Sequence, residues 1–205
     1  MNDEKHTRPD SSDIHEDTVN CLEHHFLVAM PQLNDPNFNG TVTYLWKHDS
    51  QGAIGIVINQ PADLPLSRLL EELDIEMSEF ARPALDAQAV VSGGPVERNK
   101  GFILHDAGTE WEYTIPVNDD ISISMSKDIL EAIAEGGGPQ RHLVALGCAG
   151  WDAGQLEQEI ADNAWLTVPA NSDLLFSKDF DGMAAAAAGI LGVSLSQLSS
   201  MAGHS

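Results

Sequence analysis

Short runs of apolar, β-branched and aromatic residues recur along the chain, broken by polar or glycine-containing stretches. FLVAM (26–30), TVTYLW (41–46), AIGIVI (53–58), AVVSG (89–93), GFIL (101–104), EYTI (112–115), ISISM (121–125) and HLVALG (142–147) read as strands. LVALG is apolar throughout, which predicts a central strand covered on both faces. ISISM alternates apolar residues with serine, which predicts a strand with one face in water.

Helical spacing is rarer. SRLLEEL (67–73) repeats its apolar residues at helical intervals. SKDILEAIAE (126–135) starts at Ser126, an N-cap residue, carries Asp128 in its first turn and stops at a Gly-Gly-Gly-Pro run. DAGQLEQEIADNAW (152–165) opens on Asp152 with Gln155 three residues later, a capping-box pattern. GMAAAAAGILG (182–192) is a small-residue helix suited to close packing on a sheet, and LSQLSSM (195–201) a short last helix. Strands outnumber helices and many are adjacent in sequence, so the expected fold is α/β, a mixed sheet with helices packed on its faces and no regular βαβ repeat.

The first 20 residues hold six acids, two bases and almost no large apolar residue, and are expected to form a disordered acidic tail before a single domain at 21–205. In the whole chain 10 Lys and Arg face 32 Asp and Glu, a formal net charge of −22. Nucleic-acid binding rests on cations displacing counterions from the phosphate backbone, and bases this few and scattered form no stripe. Direct binding to nucleic acid or to an anionic membrane is therefore not expected; the acidic surface suits solubility or a basic protein partner. Cys21 and Cys148 make no disulfide framework. The start lacks a basic region followed by an apolar run, and no stretch approaches the roughly 18 apolar residues of a span, so a cytoplasmic protein is expected, monomeric or weakly oligomeric.

Four places hold residues that chemistry could use. In GCAGWDAGQLEQE (147–159) a strand runs into a glycine turn and then a helix start, where Cys148 is either a nucleophile of lowered pKa or a small buried residue at a tight corner. In VVSGGPVERNKGFILHD (90–106) Gly93, Gly94 and Pro95 either admit an anion to the backbone or simply turn the chain, and His105-Asp106 follows on the next strand, where neighbours point to opposite faces. The eight histidines show no metal-ligand spacing, and neither metal nor cofactor is expected. Trp151 precedes a helix and is either core or the wall of a surface cleft.

FLVAMPQLNDPNFNGTVTYLWKHDSQGAIGIVINQP (26–61), SGGPVERNKGFILH (92–105) and LGCAGWDAGQLEQEIADNAWL (146–166) resemble the successive motifs of the YqgE/AlgH family, and the C-terminal SLSQLSSMAGHS is most similar to its alginate-regulator branch. The resemblance implies a single-domain α/β sandwich in the bacterial cytosol and brings no catalytic residues with it. It frames a candidate shallow cleft at Asn59, Pro61, Gly93, Gly94, Pro95, His105, Trp151 and Gln155. Where the family motif reads G-Y-A-G-W this chain has Cys148 in the tyrosine position, which weighs against a shared cysteine nucleophile. Two readings of function follow. One is a regulatory interaction protein, with an indirect influence on transcription, that binds a protein or small ligand in the cleft. The other is an enzyme or small-ligand binder using His105 and the Gly93-Gly94 loop.

Overall fold

The computed structural model describes residues 21–195. Expectations for the first 20 residues, and for all of the last helix except its first residue, fall outside that range. The chain forms β1 (His25–Ala29), β2 (Val42–Asp49), β3 (Gly52–Val57) and β4 (Pro61–Pro65), then α1 (Leu66–Glu72) and α2 (Arg82–Ala87). Next come β5 (Ala89–Ser92), β6 (Val96–Asp106), β7 (Thr114–Pro116), β8 (Ile121–Ser124) and α3 (Lys127–Glu135). The last part is β9 (His142–Asp152), α4 (Gln155–Ala161), β10 (Trp165–Pro169), α5 (Ser172–Leu175) and α6 (Met183–Ile190).

The strands form one curled sheet in the order β10-β1-β2-β3-β9-β6-β8-β7, with β5 pairing both β4 and β9. Every pairing is antiparallel except β5 with β9, so the mixed sheet expected from the chain is what forms, and it is mainly antiparallel. The period of two along each strand sorts the core. One face carries Phe26, Tyr44, Ile56, Leu104 and Ala145, covered by Leu175 of α5 and by Met183 and Ala187 of α6. The other face carries two clusters: Ile103 and Val144 under α1, α2 and α3, and Leu27, Leu45 and Trp151 under Leu156 of α4. Strand β9 supplies all three, so its apolar run is covered on both sides as its composition predicts. Among the described residues no helix is long and apolar enough to cross a membrane.

The structure corrects several element expectations. β9 does not turn at Gly147 but runs on to Asp152. Gly147 takes φ +78°, and a Cβ there would lie 2.6 Å from the Gly94 carbonyl oxygen and 2.9 Å from that of Val96. The pairing of β6 with β9 jumps at that point from Val96↔Cys148 to Gly101↔Leu146, so residues 97–100 stand opposite Gly147 alone and bulge outward. β8 has no wet face: Ser122 and Ser124 are buried, and Ser124 Oγ lies 2.8 Å from Thr114 Oγ1 and 2.9 Å from His105 Nε2. Serine there fills a hydrogen-bonded interior rather than meeting water.

The helix expected to reach Trp165 ends at Ala161, because Asn163 adopts φ +57° and the Trp-Leu-Thr-Val run after it pairs with β1 as β10. It also starts later than expected, with Gly154 rather than Asp152 before its first residue. Gln155 still supplies half a capping box, its side-chain oxygen accepting the Asp152 N–H at 2.9 Å. Ser126 occupies the N-cap of α3 but makes no side-chain cap; its hydroxyl instead accepts the Tyr113 N–H at 3.2 Å.

Candidate functional site

The Ser92-Gly93-Gly94-Pro95 segment crosses β9 at close quarters. The Gly93 N–H donates to the Leu146 carbonyl and the Gly93 carbonyl accepts the Val57 N–H, both at 2.8 Å, so this short segment locks β3 to β9. A Cβ on Gly93 would collide with the Gly147 carbonyl oxygen, and one on Gly94, at φ +147°, with the Cys148 backbone. The glycines serve backbone approach. The Gly93 amide is spent inside the sheet, not offered to an anion.

Beyond Gly94 the chain passes through Pro95 into β6, and a cavity of about 350 Å³ lies beside this turn. Its walls are Gln60, Val91, Ser92, Gly94, Pro95 and Arg98, with Pro36 and Asn37 of the β1–β2 loop above. Asn59 pins that loop, its oxygen accepting the Val42 N–H at 2.7 Å and its amide donating to the Gly40 carbonyl at 3.0 Å. The loop is braced again by Asp35, whose carboxylate accepts the Asn37 N–H at 2.8 Å. Pro61 opens the edge strand β4, between the two lining residues Gln60 and Ala62.

Arg98 projects from the bulge and donates from Nε to the Pro95 carbonyl at 3.3 Å. Lys47, Arg68, Arg82, Lys100, Lys127 and Arg141 each sit on a carboxylate. Among the described residues Arg98 and Lys178 have no such partner. Sequence reasoning passed over Arg98; its signal was a base in the VERNK stretch directly after the glycine pair.

The structure places the other candidates elsewhere. His105 is fully buried, with Nδ1 2.8 Å from the Asp106 carbonyl oxygen and Nε2 on Ser124. A carbonyl only accepts, so Nδ1 carries the proton, and burial above all lowers the pKa and keeps the ring neutral. His105 pairs with His142 at the start of β9, whereas Gly93 bonds Leu146, four residues or about 13 Å along the strand. The histidine and the glycine loop therefore share no site. Asp106 points away from His105 and binds Arg141, with Nη2 2.8 Å from its carboxylate.

Cys148 is 5% exposed, and burial first, then the nearby Glu97 carboxylate, push its thiol pKa upward. That is the reverse of an activated nucleophile. Trp151 is 6% exposed and belongs to an aromatic cluster. It stacks on Phe38 at 6.0 Å and meets Trp165 edge-on at 5.8 Å. Both indole N–H groups donate to one oxygen of Glu159, at 2.9 and 2.7 Å, while the Gln155 amide donates to the other at 2.8 Å.

A second polar pair that the sequence did not announce lies under α4. The His48 Nδ1 accepts the Leu22 N–H at 3.0 Å, so Nε2 holds the proton and donates to Glu157 at 2.8 Å. Among the described residues no group of three or more His, Cys, Asp and Glu side chains is placed to hold a metal ion.

Of the eight candidate positions, then, Gly94 and Pro95 line the cavity, Gly93 anchors it, and Asn59 and Pro61 frame it. His105 is held in an interior network with Ser124, while Trp151 and the exposed Gln155 share another through Glu159.

Comparison with known proteins agrees with this architecture. A family model described as AlgH-like matches residues 26–196. A UPF0301 protein of Thioalkalivibrio sulfidiphilus is 53% identical over 179 residues, covering 87% of this chain and 94% of its own. The solution structure of the AlgH protein from Pseudomonas aeruginosa superposes with a TM-score of 0.74 at 46% identity, covering 92% of this chain and 98% of that one. A Corynebacterium diphtheriae protein shares the fold at a TM-score of 0.58 and 19% identity, over 73% of this chain and 76% of its own. With the SGGP crossing, the bulge of β6 against β9 and the family match covering nearly all of the described residues, the chain belongs to the AlgH-like family, the YqgE/AlgH proteins.

Proposed function

We propose that the protein acts by contact, as a regulatory interaction protein that binds a protein partner or small ligand in the cavity over Gly94 and Pro95 and influences transcription indirectly. The observation that carries this reading is Arg98, a cation with no carboxylate partner among the described residues, at the wall of a cavity braced on two sides. In a chain with 32 acids and 10 bases, leaving a guanidinium uncompensated reserves it for an anionic group on a partner. The lining offers one hydroxyl, Ser92, with no histidine or carboxylate among the residues around it, which favours recognition over nucleophilic chemistry. The charge of −22 opposes a duplex as that partner.

The test is photo-cross-linking in living bacteria with a benzophenone amino acid at Asn37, over the cavity, and at Glu131, exposed on α3. A discrete adduct is expected from position 37 only, and it should disappear when Arg98→Glu is added. No adduct, equal adducts from both positions, or indifference to Arg98→Glu would defeat the proposal.

A further inference from the structure

We propose a second binding site, independent of the first, where β9 begins and the segment joining α5 to α6 folds over it: a site for a small anion with an aromatic body. A cavity of about 240 Å³ opens there. That is below the roughly 300–1,000 Å³ of sites for drug-sized ligands, so it fits a single ring and its head group.

Its walls are of two kinds. Leu143, Phe176 and Phe180 supply apolar surface; Arg141, His142 and Lys178, together with Gln88, Gln140 and Ser177, supply the polar part. No Asp or Glu lines it, although acids outnumber bases three to one in the chain (32 against 10).

Arg141, His142 and Lys178 each have a distinct condition. Arg141 is fixed and neutralised: Nη2 lies 2.8 Å from Asp106, and Nη1 lies 3.2 Å from Asp173 and 3.3 Å from the Ser172 hydroxyl. Its guanidinium carbon sits 5.2 Å from the centre of the Phe176 ring, so it holds that wall in place. His142 gives its Nδ1 proton to the Pro139 carbonyl at 3.1 Å, and Nε2 faces the Gln88 side chain at 3.2 Å. Burial chiefly lowers its pKa, and the Lys178 charge acts in the same direction, so the ring stays neutral.

Lys178 is the remaining charge. It is exposed, and no carboxylate among the described residues pairs with it. The adjacent Asp179 is engaged at the start of α6, where its carboxylate accepts the Gly182 N–H at 3.1 Å. An ammonium left without a counter-charge at the rim of a pocket walled by two phenyl rings matches a ligand whose anionic head meets the lysine and whose ring enters between the phenylalanines.

Phenyl phosphate is the probe, titrated into the ¹⁵N-labelled full chain and followed by amide chemical shifts. Saturable shifts confined to residues 140–143 and 176–180 are expected. Lys178→Gln should weaken binding roughly tenfold, the effect of losing one charge-assisted hydrogen bond, while Lys178→Arg should retain it. Inorganic phosphate and benzyl alcohol, each carrying half of the chemistry, should bind more weakly than phenyl phosphate. The proposal is overturned if no saturable shift appears, if the shifts centre on Arg98, if Lys178→Gln binds as well as the parent, or if inorganic phosphate alone matches phenyl phosphate. Lys178 is a surface residue, so its replacement leaves the fold intact.

Discussion

Gly94 and Gly101 look equivalent in the sequence and are opposite in the structure. Gly94 lies against the Cys148 backbone at φ +147°, whereas a Cβ on Gly101 would meet nothing within 4 Å. Gly94→Ala must push β5 away from β9 or strain the crossing, at a cost of about 2–4 kcal/mol. Gly101→Ala should stay within about 1 kcal/mol of the parent. Urea unfolding of the two variants separates them, and equal midpoints would contradict the close crossing. The same contrast explains what the residues could and could not reveal. A glycine pair next to proline announces a special backbone, but only the partner strand, over 50 residues later, says whether the space above it is filled by a ligand or by another main chain.

At the scale of elements, α4 is tied to two strands through one carboxylate. Glu159 receives both indole N–H groups, from β9 and β10, as well as the Gln155 amide. Glu159→Ala strands two indole donors in a closed cluster, a loss of about 2–4 kcal/mol. Glu159→Gln keeps an accepting oxygen and should cost less. Tryptophan fluorescence during unfolding reads both, and an Ala variant as stable as the parent would show that the carboxylate carries none of this. This network was half legible: two tryptophans and a Gln155–Glu159 pair at helical spacing stand in the sequence, yet Trp165 read as the end of a helix because its pairing partner, β1, lies at the other end of the domain. The main strands were legible from local pattern. β4 was not, since prolines bound it on both sides, and the serines of β8 passed for a solvent face because alternation marks polarity without saying whether water or Thr114 and His105 answers it.

For the whole molecule, net charge outweighs individual ion pairs. The salt bridges of the described residues lie mostly between exposed partners, each worth little. Thirty-two acids against ten bases leave a broad self-repulsion, and at 0.1 M salt its reach falls to about 10 Å. Raising sodium chloride from 20 to 300 mM should therefore raise the melting temperature by a few degrees, about 1 kcal/mol for a domain of this size. A fall with salt would mean that attractive pairs dominate. The same surplus of acid gives Arg98 and Lys178, the two cations without a carboxylate partner among the described residues, their value as recognition points.

The sheet also imposes an order on the chain's own history. Among the described residues β9 alone joins β3, β5 and β6, and it begins at residue 142. A nascent chain emerging from the ribosome thus exposes the free edges of three strands until the last third has been made. Contacts that distant in sequence are slow to form. Synthesis of residues 142–152 is the step that joins these separate strand pairings into one sheet.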